Sequence, residues 1–145
     1  MKIIIQRVTE ASVVVEGKTV GEIGGGLLVF LGIHREDSSK KIIPLADRLL
    51  NFRMFRDDAD KMNLSLLDVG GGLLVVSQFT LYANCKSGRR PSFTDAAPPD
   101  LAKDLYEEFV AYSKTKLEKV ETGVFAAYMQ VHLINDGPVT FTLED

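Results

Sequence analysis

Apolar residues fall into unbroken or alternating runs along most of the chain and into a helical rhythm in two places, predicting several strands and two main helices. Lys2 to Val8, rich in isoleucine, reads as a buried strand. Ser12 to Val15 and Thr19 to Ile23 flank Glu16-Gly17-Lys18, whose glycine suits a left-handed turn position, and predict a hairpin. Gly24-Gly25-Gly26 releases the chain into Leu27-Leu28-Val29-Phe30-Leu31-Gly32, a run suited to a strand covered on both faces. Asp37-Ser38-Ser39 offers N-caps to a helix carrying Ile42, Ile43, Ala46, Leu49 and Leu50. Pro44 requires that helix to start near Ile43 or to kink. Phe52 to Phe55 alternates as a short strand, and Asp57 to Lys61 is a polar turn without the glycine and glutamate of a calcium loop.

Leu73 to Val76 is the next apolar strand, led in by Gly70-Gly71-Gly72. Pro98-Pro99 opens a helix over Asp100 to Leu117, striped by Leu101, Leu105, Phe109 and Tyr112 and widened by Ala102, Tyr106 and Val110. Met129 to Ile134 reads as a strand, Asn135-Asp136-Gly137-Pro138 breaks it, and Val139 to Leu143 alternates again. About seven or eight strands with two helices predict an α/β fold. The expected arrangement is one domain over residues 1–145, layered β/β/α, with two sheets forming a barrel-like sandwich and the helices on one face.

Composition narrows the function classes. The chain is 46% hydrophobic with a net charge of −3, so no global basic field draws it to nucleic acid, and a polyanion needs a local patch. Cys85 is the one cysteine, which excludes an internal disulfide and suits a reducing compartment. The first residues are too short an apolar run for a signal peptide, and no stretch has the length of a membrane span. The expected location is cytoplasmic.

There is no glycine-rich dinucleotide fingerprint, no Walker sequence and no Cys/His spacing for zinc, so neither cofactor nor metal is expected. His34 and His132 lack sequence-local partners, which leaves a serine triad poorly supported. Two polar stretches interrupt apolar strands instead. In Ser77-Gln78-Phe79-Thr80, the hydroxyls of Ser77 and Thr80 reach one pocket only if the strand turns after Ser77. Such a turn also frees backbone N–H groups for a developing oxyanion. The alternative is a strand running into a polar loop whose hydroxyls bond locally. In Gly137-Pro138, glycine permits close backbone approach and proline leaves rigid carbonyl acceptors, or the pair is simply a tight turn between strands.

Ser77-Gln78-Phe79-Thr80-Leu81, followed by Asn135-Asp136-Gly137-Pro138-Val139-Thr140, resembles the motif pair of the D-aminoacyl-tRNA deacylases. The likeness extends along the chain through Gln6-Arg7-Val8 with Ala11-Ser12-Val13, Lys61-Met62-Asn63, Arg90-Pro91-Ser92-Phe93, Thr122-Gly123 with Phe125, and Met129-Gln130-Val131. The resemblance implies a homodimer that hydrolyses the ester joining a D-amino acid, or glycine, to the terminal adenosine of tRNA, as a proofreading step in translation. It implies catalytic roles for Ser77, Gln78, Phe79 and Thr80, with the Phe79 N–H at the oxyanion. Thr80 is then either a nucleophile or the group that orients water or the ribose hydroxyl.

The same resemblance implies that Gly137 and Pro138, joined by a cis bond, enter the partner's site and exclude an L side chain. Arg7 would brace that segment or meet the adenosine, and Met129 would line the substrate pocket. Lys86, Arg89 and Arg90, with Lys114, Lys116 and Lys119, are the expected tRNA contacts, and no membrane or DNA partner is expected. Two other readings remain open: a small-molecule esterase or amidase using Ser77 or Thr80, and a non-catalytic RNA-binding dimer.

Overall fold

A computed structural model describes residues 1–86 and 88–145; Ser87, within the cationic loop read from the sequence, lies outside the described residues. Strand β1 (Lys2–Val15) organises the fold because it is paired on both edges. On one edge Lys2–Val8 pairs with β3 (Gly26–Gly32) and Ala11–Val15 with β2 (Lys18–Ile23), all antiparallel. The two segments read separately from the sequence are therefore one strand. Glu10 and Ala11 keep them continuous by pairing with Ile134 and Leu133 on the other edge.

That other edge carries the last strand, here β8 (Gln130–Glu144). The break expected at Asn135–Pro138 is not the end of a strand. Gln6 pairs with Thr140 and Val8 with Asn135, so Arg7 alone stands opposite residues 136–139, which bulge outward. The Asn135 side chain closes the bulge: its Oδ1 accepts from the Val139 N–H at 2.6 Å and its Nδ2 donates to the Val139 carbonyl at 3.1 Å.

Strand β6 (Gly72–Ser77) runs parallel to β3, and the short β7 (Val120–Thr122) runs parallel to β6. Leu27, Val29, Leu31, Leu73 and Val75 face the helices, while Leu28, Leu74 and Val76 pack with Val8 and Val13 on the opposite side. Burial on both faces is what the unbroken apolar runs demand, each such leucine contributing about 1.5–3 kcal/mol. The sheet curls until β2 meets β7: a Cβ on Gly21 would stand 2.4 Å from the Thr122 carbonyl oxygen. The result is a nearly closed, barrel-like sheet with a small second sheet, β4 (Phe55–Arg56) paired with β5 (Met62–Leu64). The strand expected over Phe52 to Phe55 is thus displaced toward the hairpin. There the Asp57 carboxylate accepts the Ala59 and Lys61 N–H groups and anchors the polar turn.

Helix α1 (Ile42–Leu50) follows a 3-10 turn over Ser39–Lys41. Pro44 falls in its first turn, where N–H groups have no intrahelical partner, so no kink is required. Helix α2 (Leu66–Val69) is one turn, capped reciprocally by Ser65 and Asp68. Helix α3 (Pro99–Lys114) stops short of the expected Leu117, where the Thr115 hydroxyl donates to the Tyr112 carbonyl at 2.7 Å. Tyr112 ties α3 to α1 by donating to Asp47 at 2.6 Å. No helix among the described residues is long and apolar enough to cross a membrane. After β3, the buried Asp37 carboxylate meets the Met1 ammonium at 2.8 Å, Lys41 at 3.0 Å and the His34 N–H at 2.7 Å.

Candidate active site

The chain leaves the parallel ladder at the end of β6, where the Gln78 N–H donates to the Leu31 carbonyl at 2.8 Å. It then enters a 3-10 turn over Phe79–Tyr82. The first bond of that turn runs from the Leu81 N–H to the Gln78 carbonyl at 3.3 Å. The Phe79 and Thr80 amides therefore precede the bonded part and have no partner within the turn. The chain does turn after Ser77, the condition on which Ser77 and Thr80 could share one pocket. Gln78 Nε2 donates to Thr80 Oγ1 at 2.5 Å, so local bonding of that hydroxyl also holds. Among the described residues no carboxylate or imidazole hydrogen-bonds the Ser77 or Thr80 hydroxyl.

Beside this turn lies a pocket of about 710 Å³. Ser77, Gln78 and Tyr128 are its polar members; Phe79 and Phe93, in edge contact at 5.0 Å, form one wall. Phe125 and Met129 form another, with the Met129 sulfur packed over Gly123, where a Cβ would stand 2.5 Å from it. Phe125 leans on Tyr106, ring centroids 5.9 Å apart. The Tyr106 hydroxyl donates to the Val75 carbonyl at 2.8 Å, and burial pushes its phenol up to about 12. Tyr106, read from the sequence as stripe packing, thus pins α3 and the pocket wall to the strand that ends in the turn. A phenol inside an otherwise apolar stripe was the signal for it, since a buried hydroxyl needs a partner.

Gly137 and Pro138, joined by a cis peptide bond, are exposed on the bulge of β8 and do not line the pocket of their own chain. Arg7 lies beneath them, 3% exposed. Its Nε donates to the Asp136 carbonyl at 3.0 Å and lies 3.2 Å from the Asp136 carboxylate, while Nη1 donates to the Met54 carbonyl. The structure therefore lines one pocket with Ser77, Gln78, Phe79 and Met129, leaves the exposed Thr80 outside that lining though bonded to Gln78, and gathers Arg7, Gly137 and Pro138 in another region. Asn135, which shapes the second region, was not singled out from the sequence.

Lys86, Arg89 and Arg90 are exposed on a loop whose ends are tied by reciprocal Asn84–Ser92 backbone bonds of 2.7 and 3.0 Å, one residue before Phe93. His34 accepts the Glu36 N–H at 3.2 Å and packs on Tyr82, away from the Thr80 hydroxyl's bonding. His132 is exposed on the outer face of β8. A larger depression of about 860 Å³ there, bordered by Glu10, Glu22 and Lys119, holds none of the turn residues. Among the described residues no group of three or more His, Cys, Asp or Glu side chains is placed to hold a metal ion.

A family model described as D-Tyr-tRNA(Tyr) deacylase matches residues 4–144. Curated relatives called D-aminoacyl-tRNA deacylase include one from Thermosipho africanus, 58% identical over 144 residues that cover 99% of this chain and 97% of the relative. Another, from Pelobacter propionicus, is also 58% identical and covers 99% of both chains. Among solved structures, one titled c-Myc DNA Unwinding Element Binding Protein superposes with a TM-score of 0.95 at 41% identity, covering 100% of this chain and 99% of that one. A probable eukaryotic D-amino acid tRNA deacylase shares the fold at a TM-score of 0.83 and 17% identity, over 98% and 97% of the two chains. On the near full-length match and these identities, the chain belongs to the D-Tyr-tRNA(Tyr) deacylase family.

Proposed function

We propose that this protein hydrolyses the ester between a D-amino acid and the 3′-terminal adenosine of tRNA. The observation that carries the reading is the Ser77–Thr80 turn, which leaves the Phe79 and Thr80 amides without a partner in the turn and sets Ser77, Gln78 and Phe79 against an apolar pocket in a chain of this family. Water adds to the ester carbonyl, the bond to the ribose oxygen breaks, and that oxygen takes up a proton. The Phe79 N–H faces the carbonyl oxygen as it gains charge. Thr80, bonded by Gln78 and lacking a base, is an unactivated hydroxyl. It therefore orients water or the ribose hydroxyl, and the substrate's own 2′-hydroxyl assists the attack.

Chirality is read by exclusion. Gly137 and Pro138 are exposed and outside their own pocket, which suits a homodimer in which each bulge enters the partner's site. Their carbonyls hold the substrate's amino group and leave no room for an L side chain. Arg7 sets the position of that segment, and Met129 lines the pocket. Glycine, having no side chain to exclude, is accepted as well. Lys86, Arg89 and Arg90 contact tRNA phosphates, and the substrate places the enzyme with the translation apparatus in the cytoplasm.

The test is deacylation of D-tyrosyl-tRNA beside L-tyrosyl-tRNA at one low enzyme concentration. Rapid loss of the D form alone is expected. Loss of both forms would make the protein an unselective esterase, and loss of neither would make it a binding protein.

A further inference from the structure

Tyr128 is 90% exposed, yet it belongs to the wall of the apolar pocket and not to an outlying loop. The turn that presents it is held firmly. The Ala127 N–H donates to the Val124 carbonyl at 3.2 Å, and Phe125 is anchored on Tyr106. Ala126 adopts φ +61°, a left-handed conformation that an L residue keeps only where its surroundings over-determine it. The effect of this constrained turn is to stand a phenol ring in water at the pocket opening.

Two further aromatic residues of the same pocket are uncovered, Phe79 at 54% and Phe93 at 38%. The Asn84–Ser92 bonds tie together, one residue before Phe93, the ends of the loop that bears the exposed Lys86, Arg89 and Arg90. Aromatic faces beside cations form the combination that holds single-stranded nucleic acid, rings taking bases and cations taking phosphates.

We infer that Tyr128 is a stacking platform for a base of the single-stranded 3′ end, lying 5′ to the esterified adenosine and outside the pocket. The inference rests on the deacylase reading and deepens it. The turn holds the ring in place, and its free face is directed at a base that does not enter the pocket. Tyr128 positions the RNA; it does not touch the reacting ester.

The test compares kcat/KM on D-tyrosyl-tRNA with kcat/KM on D-tyrosyl-adenosine, which has the same ester and no upstream nucleotide. In Tyr128→Ala the ratio of the two is expected to fall about ten-fold, mainly through KM on the tRNA. Tyr128→Phe, which keeps the ring, is expected to retain the wild-type ratio. An unchanged ratio in Tyr128→Ala would overturn the inference, as would a changed sedimentation coefficient accompanying the loss, which would assign Tyr128 to a contact between copies. Wild-type inactivity on both D esters would instead sink the deacylase reading, and this inference with it.

Discussion

A Cβ on Gly137 would stand 2.5 Å from Val139 Cγ2 and 2.8 Å from the Val139 nitrogen, and φ there is +152°. Only glycine fits without moving the bulge. Gly137→Ala is therefore expected to lower D-tyrosyl-tRNA turnover by at least about ten-fold, the order of a misplaced binding group. The strained backbone should also cost about 1–3 kcal/mol of stability, seen as a modestly lower urea midpoint, and D-tyrosyl-tRNA turnover that stays at the wild-type level would contradict the assignment. That Ser77 and Thr80 could share a pocket only through a turn after Ser77 was legible because side chains alternate along a strand. The role of Asn135 was not: its amide acts by replacing ladder bonds across a bulge, and nothing in the residues 135–140 announces how many of them stand opposite Arg7.

Among elements, β3 and β6 were the most legible, since the unbroken apolar runs Leu27 to Leu31 and Leu73 to Val76 leave no face for water. Helix α2 escaped notice although Ser65 and Asp68 have capping-box spacing, because four residues are too few to show a rhythm. Phe52 and Phe55 imitate a strand by alternation, but Phe52 is held instead by an edge contact with Phe141 at 5.2 Å. The family resemblance implies that Arg7 braces the Gly137-Pro138 segment or meets the adenosine; its bond to the Met54 carbonyl was not legible, because Met54 is distant in the chain. Its guanidinium joins the β4–β5 ribbon to the bulge of β8. Arg7→Ala leaves the buried Met54 carbonyl without its donor and should cost about 2–3 kcal/mol, seen as a lower urea midpoint at constant slope. Arg7→Lys should not restore stability, since one ammonium cannot span both partners.

At the scale of the whole molecule, Asp37 ties the first residue to the loop after β3 and to α1. Burial raises its affinity for a proton, but the Met1 ammonium, the His34 N–H and Lys41 outweigh that and hold its pKa below the ordinary 3.8. A carboxyl with a depressed folded value stabilises the protein fully above its unfolded pKa and stops doing so as pH falls through the folded one. Stability should therefore decline below about pH 3.8 partly through this group. Asp37→Asn should cost about 3 kcal/mol at neutral pH by stranding a buried ammonium, and should flatten the acid limb of a plot of stability against pH. An acid limb as steep as the wild type's would assign the decline to other carboxylates. None of this was readable from Asp37-Ser38-Ser39, which looked only like helix caps.

The pairing of β1 with β8 also sets an order of events during synthesis. Residues 2–15 leave the ribosome first, and one whole edge of that strand waits for residues 130–144. Until they arrive, β3 and β2 can occupy only the other edge, and a row of N–H and C=O groups stays open to any passing strand. A nascent chain halted before residue 130 is thus the form of this protein most exposed to mispairing, and the bulge bearing Gly137 and Pro138 takes shape only as that last edge closes.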